Sequence, residues 1–167
     1  MEVVSKPGDH IMRVEQLVRE LGIRLGLPLA LDGNGMCRLV FNGGTTVDLE
    51  ALRDDGEKFI IYAVLGKLRP GPREAMYRAL LAANLPSQDS AAGVIALDVE
   101  RDEVILQRIL DASLLNAVHL AEIVETFVDM AVAWTERIER FDQRPPADGA
   151  AGREGDELAQ GIYHPRA

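Results

Sequence analysis

Few residue types in this chain could carry chemistry, and the cysteine is the first to consider. The 167 residues include one cysteine, Cys37, and three histidines, His10, His119 and His164. A nucleophilic cysteine needs a base and an environment that stabilises its thiolate. The residues around Cys37 supply no such signature, and within the part expected to fold only His119 could act as the base. We therefore interpret Cys37 as a structural thiol. A single cysteine also excludes an internal disulfide and a cysteine-based zinc site.

The histidines and acidic residues do not form a recognisable catalytic or metal-binding pattern. His119 and Glu122 are three residues apart and could supply half of a metal site, but a solvated polar pair is the simpler interpretation. The paired acids, among them Asp54/Asp55 and Asp98/Glu100, fall in predicted turns, where carboxylates are usually solvated. We expect no metal, no cofactor and no catalytic residue.

Two glycine-containing segments resemble nucleotide-binding loops without matching them. Residues 33–38 begin like a dinucleotide fingerprint, but Arg38 stands where the third glycine belongs, and the segment precedes a strand instead of a helix. Residues 66–68 contain a Gly-Lys pair without the upstream glycine or the following Ser/Thr of a phosphate loop. Both nucleotide-binding interpretations are rejected.

The spacing of apolar residues along the chain, helical in some segments and alternating in others, predicts eight secondary-structure elements. They are a helix over 10–25, strands over 38–41, 46–51 and 58–65, a helix after the prolines at 70–72, strands over 93–99 and 104–110, and a helix over 113–141. The Asn42-Gly43 pair predicts a two-residue hairpin turn between the first two strands. The order α-β-β-β-α-β-β-α predicts an α+β fold, with an antiparallel sheet and three packed helices.

Composition separates a folded part from a tail and limits the partners. The net charge is −9, no basic run is present, and no stretch is apolar enough to span a membrane or to form a signal-peptide core, so we expect a cytoplasmic protein that binds no nucleic acid. We expect residues 1–9 to be flexible, 10–141 to form the domain, and 142–167 to be a disordered tail rich in Pro, Gly and charge.

Apolar residues are more numerous on the first two helices than one buried face requires. Ile23 and Leu27 lie beside the main stripe of the first helix, and the second helix presents both Met76/Leu80 and Tyr77/Leu81. A small domain with spare apolar helix surface is usually an interaction module or an oligomer. A wide stripe facing the core is the alternative.

The element order and several local segments resemble the class I type III secretion chaperones, the Tir-chaperone family. The segment LALDGNGMCRLVF at 29–41 is similar to the family's first hairpin, and residues 60–84 are similar to its third strand, proline turn and second helix. GVIALDVERDEVILQRIL at 93–110 is similar to its last hairpin, and Phe127, Ala131 and Trp134 match its closing helix. The resemblance covers about residues 10–141.

The resemblance implies a homodimeric bacterial protein without enzymatic activity. Such chaperones bind an N-terminal segment of a secreted effector, hold it soluble and extended, and deliver it to the secretion ATPase. On this basis we expect one set of apolar residues to bind the effector, namely Val14, Leu17, Leu21, Leu25, Leu39 and Phe41. The family's dimer contacts carry over to Met76, Tyr77, Leu80, Leu81, Val94 and Ala96. A dimeric adaptor or regulatory binding protein of the same fold outside secretion is the alternative function.

Overall fold

The predicted order of elements is confirmed. The computed structural model of the chain describes residues 9–53, 57–68, 73–85 and 93–143. Its elements are α1 (Asp9–Leu25), β1 (Met36–Val40), β2 (Thr46–Ala51), β3 (Lys58–Lys67), α2 (Glu74–Ala83), β4 (Val94–Asp98), β5 (Glu103–Asp111), a 3₁₀ turn (Ala112–Leu114) and α3 (Ala117–Gln143). The strands form one five-stranded sheet in the order β1-β2-β3-β5-β4, and β2 pairs antiparallel with both β1 and β3. The fold is α+β, as expected.

The predicted start of the last helix at Ser113 was wrong by four residues. The side chain of Asp111 accepts a hydrogen bond from the Ser113 backbone N–H and closes the 3₁₀ turn Ala112–Leu114. The side chain of Asn116 then accepts from the backbone N–H groups two and three residues further on. These are the bonds of a helix N-cap, so α3 begins at Ala117.

The first hairpin is present, but its turn differs from the predicted one. The turn is closed by Phe41 and Thr45. The backbone N–H of Phe41 donates to the carbonyl oxygen of Thr45, with 2.9 Å between the nitrogen and the oxygen. Three residues therefore form the loop, and the positive φ angles fall at Gly43 (89°) and Gly44 (87°), not at Asn42. Glycine adopts such angles without steric cost, so the second glycine determines the loop length.

The longer loop shifts the pairing of β1 and β2 by one residue and changes the environment of Asp48. Arg38 lies opposite Asp48, and its Nε and Nη2 donate to the two carboxylate oxygens over 2.7 and 2.8 Å. The sequence predicts an exposed acidic outer face on β2, but Asp48 is buried beneath the guanidinium. Burial of this carboxylate is tolerated because a bidentate, charge-assisted pair replaces its contacts with water.

The described residues belong to two compact units, each with its own apolar core. The first unit comprises residues within Met1–Ala63 and Gln107–Asp129. Its core is built from α1, the first three strands, the end of β5 and the start of α3. The buried residues are Val14, Leu17, Val18, Leu21, Leu39, Leu49, Phe59, Ile61, Leu110, Leu120, Val124 and Phe127. Arg13 connects α1 to the 3₁₀ turn, because its guanidinium donates hydrogen bonds to the carbonyl oxygens of Ala112 and Leu115.

The second unit comprises residues within Val64–Leu106 and Met130–Ala167. Its buried residues include Leu65, Leu68, Met76, Leu80, Ile95, Val104, Leu106, Ala131, Trp134 and Ile138. Leu68 donates its backbone N–H to the carbonyl oxygen of Asp102 over 2.7 Å, which joins the end of β3 to the turn between β4 and β5. The apolar residues of α3 recur at steps of four and three, and those from Leu120 to Ile138 are buried and contribute to both units.

Some predicted segments lie outside the described residues. These are the acidic turn at 54–56, the prolines at 70–72, residues 1–8, and the tail from residue 144 onward with His164. Of the helices in the described ranges, none combines the length and hydropathy that a lipid bilayer crossing requires.

Candidate binding surface

Cys37 lies in an environment that disfavours nucleophilic chemistry. Its side chain is buried on β1. Burial raises the pKa of the Cys37 thiol, and the negative charges of Asp48 and Asp32 raise it further. The thiol is therefore protonated near neutral pH, which is the opposite of what a nucleophile requires.

Among the described residues, the candidate metal pair on α3 belongs to no group of three potential ligands. His119 and Glu122 are both exposed. Within the described ranges, no group of three or more His, Cys, Asp or Glu side chains is arranged to hold a metal ion. Apolar side chains and backbone edges are also features that can bind a partner.

The six residues expected to bind an effector divide into two groups by burial. Val14, Leu17, Leu21 and Leu39 are buried in the core of the first unit, where they stabilise the fold. Leu25 is exposed and Phe41 is half-buried, so these two reach the surface. Their role in effector binding remains a prediction, and the burial indicates which of the six can contact a partner directly.

The C-terminal end of α1 carries a cluster of exposed apolar side chains. Ile23 is 82% exposed and Leu27 is 51% exposed, and Leu25 lies between them. We call these three residues the α1-end patch. Large aliphatic side chains so close together on a surface are typical of a site that another molecule covers.

The backbone reverses at this patch and fixes its position. Gly26 has a φ angle of +68°, its N–H donates to the Ile23 carbonyl, and the Leu27 N–H donates to the Gly22 carbonyl over 2.9 Å. This arrangement is a Schellman-type helix end, with the glycine in the left-handed conformation. It directs the chain back along the last turn of α1 toward Leu29.

Gly22 allows that return because it has no side chain. A Cβ placed there would lie 2.6 Å from the Leu27 carbonyl oxygen and 3.0 Å from the Leu29 backbone nitrogen. The sequence identifies Gly22 only as a weak point in the helix, but its backbone is a close-packing surface for the connection between α1 and β1.

The β1 strand is an edge of the sheet, and alternate residues turn their backbone groups away from β2. Gly35 and Phe41 are hydrogen-bonded through their backbones to Ala51 of β2 and to Thr45, which precedes β2. Because hydrogen-bonded and non-hydrogen-bonded positions alternate in antiparallel pairs, the backbone N–H and C=O groups of Met36, Arg38 and Val40 point outward. These outward groups form the β1 edge. This edge was not identified from the sequence.

The residues expected at a dimer contact also divide by burial, within the second unit. Met76 and Leu80 are buried on α2, and Tyr77 and Ala96 are half-buried. Leu81 is 70% exposed and Val94 is 53% exposed. The assignment of these residues to a dimer contact remains a prediction.

Comparisons with known proteins give the chain a family and confirm its fold. No curated protein matches the chain. Similar folds occur in the HopA1-SchA chaperone-effector complex (TM-score 0.60, 16% identity, 75% of this chain and 95% of that one) and in the ExsC-ExsE complex (TM-score 0.63, 24% identity, 75% and 93%). A third is the Yersinia pestis type III secretion chaperone SycH in complex with a stable fragment of YscM2 (TM-score 0.58, 23% identity, 72% and 98%).

The match to a family extends over most of the described chain. The Tir chaperone protein (CesT) family model covers residues 16–135, from the middle of α1 to the middle of α3. It therefore includes the α1-end patch, the β1 edge and the whole sheet. This chain belongs to the Tir chaperone protein (CesT) family.

Proposed function

We propose that this protein is a cytoplasmic type III secretion chaperone. It binds the N-terminal segment of a secreted effector, holds that segment extended and soluble, and delivers it for export. The proposal is supported by family membership over residues 16–135 and by solved relatives of the same fold that are described as chaperone-effector and type III secretion chaperone complexes. The observation that carries it for this chain is the exposed α1-end patch in the same unit as the β1 edge.

The two features suit an extended segment in complementary ways. An unfolded partner has unpaired backbone groups along its length, and a free sheet edge can pair with them. The partner's apolar side chains lose contact with water when they pack against Ile23, Leu25 and Leu27. Backbone pairing contributes affinity without sequence preference, and side-chain packing selects segments with apolar residues at suitable spacing.

The Arg38–Asp48 ion pair places a cation at the surface of the β1 edge and its counter-ion beneath it. The Arg38 side chain is 64% exposed, whereas Asp48 beneath it is 8% exposed. A partner strand next to β1 therefore meets a guanidinium, although the protein as a whole carries a net charge of −9. Opposite charges across neighbouring strands are favourable, so an acidic side chain beside Arg38 would strengthen pairing.

The protein acts as a homodimer and has no enzymatic activity of its own. The exposed Leu81 and Val94 belong to the second unit and supply apolar surface that a second copy of the chain would cover. Light scattering is expected to give a mass of about twice 18.3 kDa at micromolar concentration. A monomer at that concentration, or a dimer unaffected by Leu81→Glu with Val94→Glu, would contradict this assignment.

The function is tested by co-purification from a bacterium that is actively secreting. The tagged full-length protein is recovered together with its partner, and mass spectrometry identifies the bound protein and the part that resists proteolysis. We expect a secreted protein whose N-terminal segment is protected. Recovery is expected to fall at least tenfold when Ile23→Glu and Leu27→Glu are combined.

A matched control distinguishes loss of the patch from a general effect of an added charge. Leu114 is 78% exposed and belongs to the same unit, but lies near the start of α1, where Arg13 binds the Leu115 carbonyl. Leu114→Glu is expected to leave recovery unchanged. Equal recovery with the patch variant and the control, both folded by circular dichroism, would contradict the proposed binding surface.

A further inference from the structure

At Met36, the outward-facing backbone groups of the β1 edge are already hydrogen-bonded within this chain. The Asp32 backbone N–H donates to the Met36 carbonyl oxygen over 2.7 Å, and the Met36 N–H donates to Asp32 Oδ1 over 2.9 Å. A neighbouring antiparallel strand would contribute the same two bonds, one donor and one acceptor. Asp32 therefore takes the place of a strand residue at Met36.

The next two outward-facing residues of β1 are left for a partner. Arg38 and Val40 have the same orientation as Met36, because residues two apart in a strand share one edge. Within the described residues, no other element accepts from or donates to their outward backbone groups. The edge available to a second chain thus begins at Arg38 and ends at Val40.

The opposite edge strand, in the second unit, has a side chain in the same role. Asn84, at the end of α2, accepts from the Ile95 N–H over 2.8 Å and donates to the Ile95 carbonyl over 3.0 Å. Ile95 is the second residue of β4. One amide side chain thus satisfies both backbone groups of that residue, which protects β4 against pairing near its start. We expect strand addition at β1, where two successive outward-facing residues remain.

We propose that Asp32 terminates the β1 edge and thereby fixes the stretch of β1 with which an extended partner segment pairs. The proposal rests on the proposed function and adds to it the position at which pairing begins. Occupation of Met36 by Asp32 prevents pairing from extending toward the start of β1, so a paired segment lies beside Arg38 and Val40.

The position of the partner segment beside Arg38 and Val40 determines which side chains that segment must have. Three consecutive residues of the partner segment would lie beside Arg38, Leu39 and Val40. The first and third of them would lie on the face of the sheet that carries Arg38 and Val40. The middle residue would lie on the face that carries the buried Leu39 and half-buried Phe41. We therefore expect an apolar residue in the middle and an acidic residue beside Arg38.

Amide hydrogen exchange on the full-length protein tests the first part of this inference. The Met36 amide is expected to be protected in the free protein, and the Arg38 and Val40 amides to exchange rapidly. Asp32→Ala removes the carboxylate acceptor and is expected to speed exchange at Met36 about fivefold, the usual effect of one hydrogen bond. Asp32→Asn keeps an acceptor oxygen and is expected to leave the exchange rate nearly unchanged. Equal exchange at Met36 in all three proteins would overturn the inference.

A random nine-residue peptide library displayed on phage supplies the probe for the second part. Peptides selected on the full-length protein are expected to protect Arg38 and Val40 in all three proteins, and to add no protection at Met36 in the wild type or in Asp32→Asn. Selected peptides that leave Arg38 and Val40 unprotected, or the failure to select any peptide, would overturn the inference. The proposed function fails separately, if no secreted protein is recovered from the bacterium.

Discussion

Replacing Gly22 with alanine tests how the α1-end patch is held in place. Alanine is the better helix former by about 1 kcal/mol, so helix propensity alone predicts a more stable protein. The structure predicts the reverse. The added Cβ would lie 2.6 Å from the Leu27 carbonyl oxygen and 3.0 Å from the Leu29 nitrogen, and both are backbone atoms. A flexible side chain could rotate away, but the backbone here is fixed by hydrogen bonds from Leu27 to Gly22 and from Leu29 to Leu27.

The size of the effect follows from these contacts. Overpacking a closely fitted site costs about 1 to 3 kcal/mol, and contacts with fixed backbone fall toward the upper end of that range. After subtraction of the gain in helix propensity, we expect the free energy of unfolding to fall by about 1 to 2 kcal/mol. The corresponding loss in melting temperature is roughly 3 to 8 °C for a domain of this size.

Urea denaturation followed by circular dichroism measures this effect, with Gly33→Ala as the control. Gly33 has open space around it and an ordinary φ angle, so its substitution is expected to change stability by less than about 0.5 kcal/mol. Partner binding by Gly22→Ala is expected to weaken, since Leu27 must move. A Gly22→Ala protein as stable as the wild type, or more stable, would refute the assigned role of the close approach.

Three further predictions concern the cap of α3, the buried pair and acid stability. Asn116→Ala is expected to lower the free energy of unfolding by about 1 kcal/mol, because it removes the helix cap. Asn116→Asp keeps a capping oxygen and is expected to be nearly neutral. Equal losses of stability for the two variants in urea denaturation would contradict the cap. Arg38→Ala is expected to cost about 1 to 3 kcal/mol because it leaves the buried Asp48 carboxylate unpaired. When Asp48→Ala is added to the Arg38→Ala variant, part of the lost stability should be restored, because the unpaired carboxylate is removed. A further loss of stability in the double variant would contradict the stabilising role of this ion pair. Hydrogen bonds from the backbone N–H groups of Met36 and Asn34 lower the pKa of Asp32. A lowered folded-state pKa contributes stability that is present above the unfolded value near 3.9 and is lost as pH falls through the folded value. Asp32→Asn should therefore flatten the pH dependence of unfolding in that acidic range, and an unchanged slope would show that Asp32 does not contribute.

The order of elements could be predicted because each element has its own local signal. The strand Thr46–Ala51 was predicted with both ends correct, since apolar and polar residues alternate along it and glycine precedes it. The helix that starts after β5 was less predictable. Two polar side chains in succession, Asp111 and Asn116, can each cap a helical turn, and periodicity alone cannot separate a 3₁₀ turn from the helix that follows.

The binding surface was less predictable, because it depends on register and burial instead of composition. A hairpin loop one residue longer than predicted changes the partner of Arg38 and turns Asp48 from a surface acid into a buried one. Apolar periodicity identified Leu17 and Leu21 but could not show that the core of the same unit buries them completely. Ile23 and Leu27, which lie off the main stripe, are the residues that the fold leaves exposed.

We expect this protein to bind an extended N-terminal segment of a secreted protein through the first unit. Limited proteolysis of the co-purified complex, read out by mass spectrometry, tests this binding mode. One protected fragment from the partner's N-terminal region is expected, which is lost when Ile23→Glu and Leu27→Glu are introduced together and is retained with Leu114→Glu. A protected fragment from a folded domain of the partner, or an N-terminal fragment that persists in the folded patch variant, would contradict it.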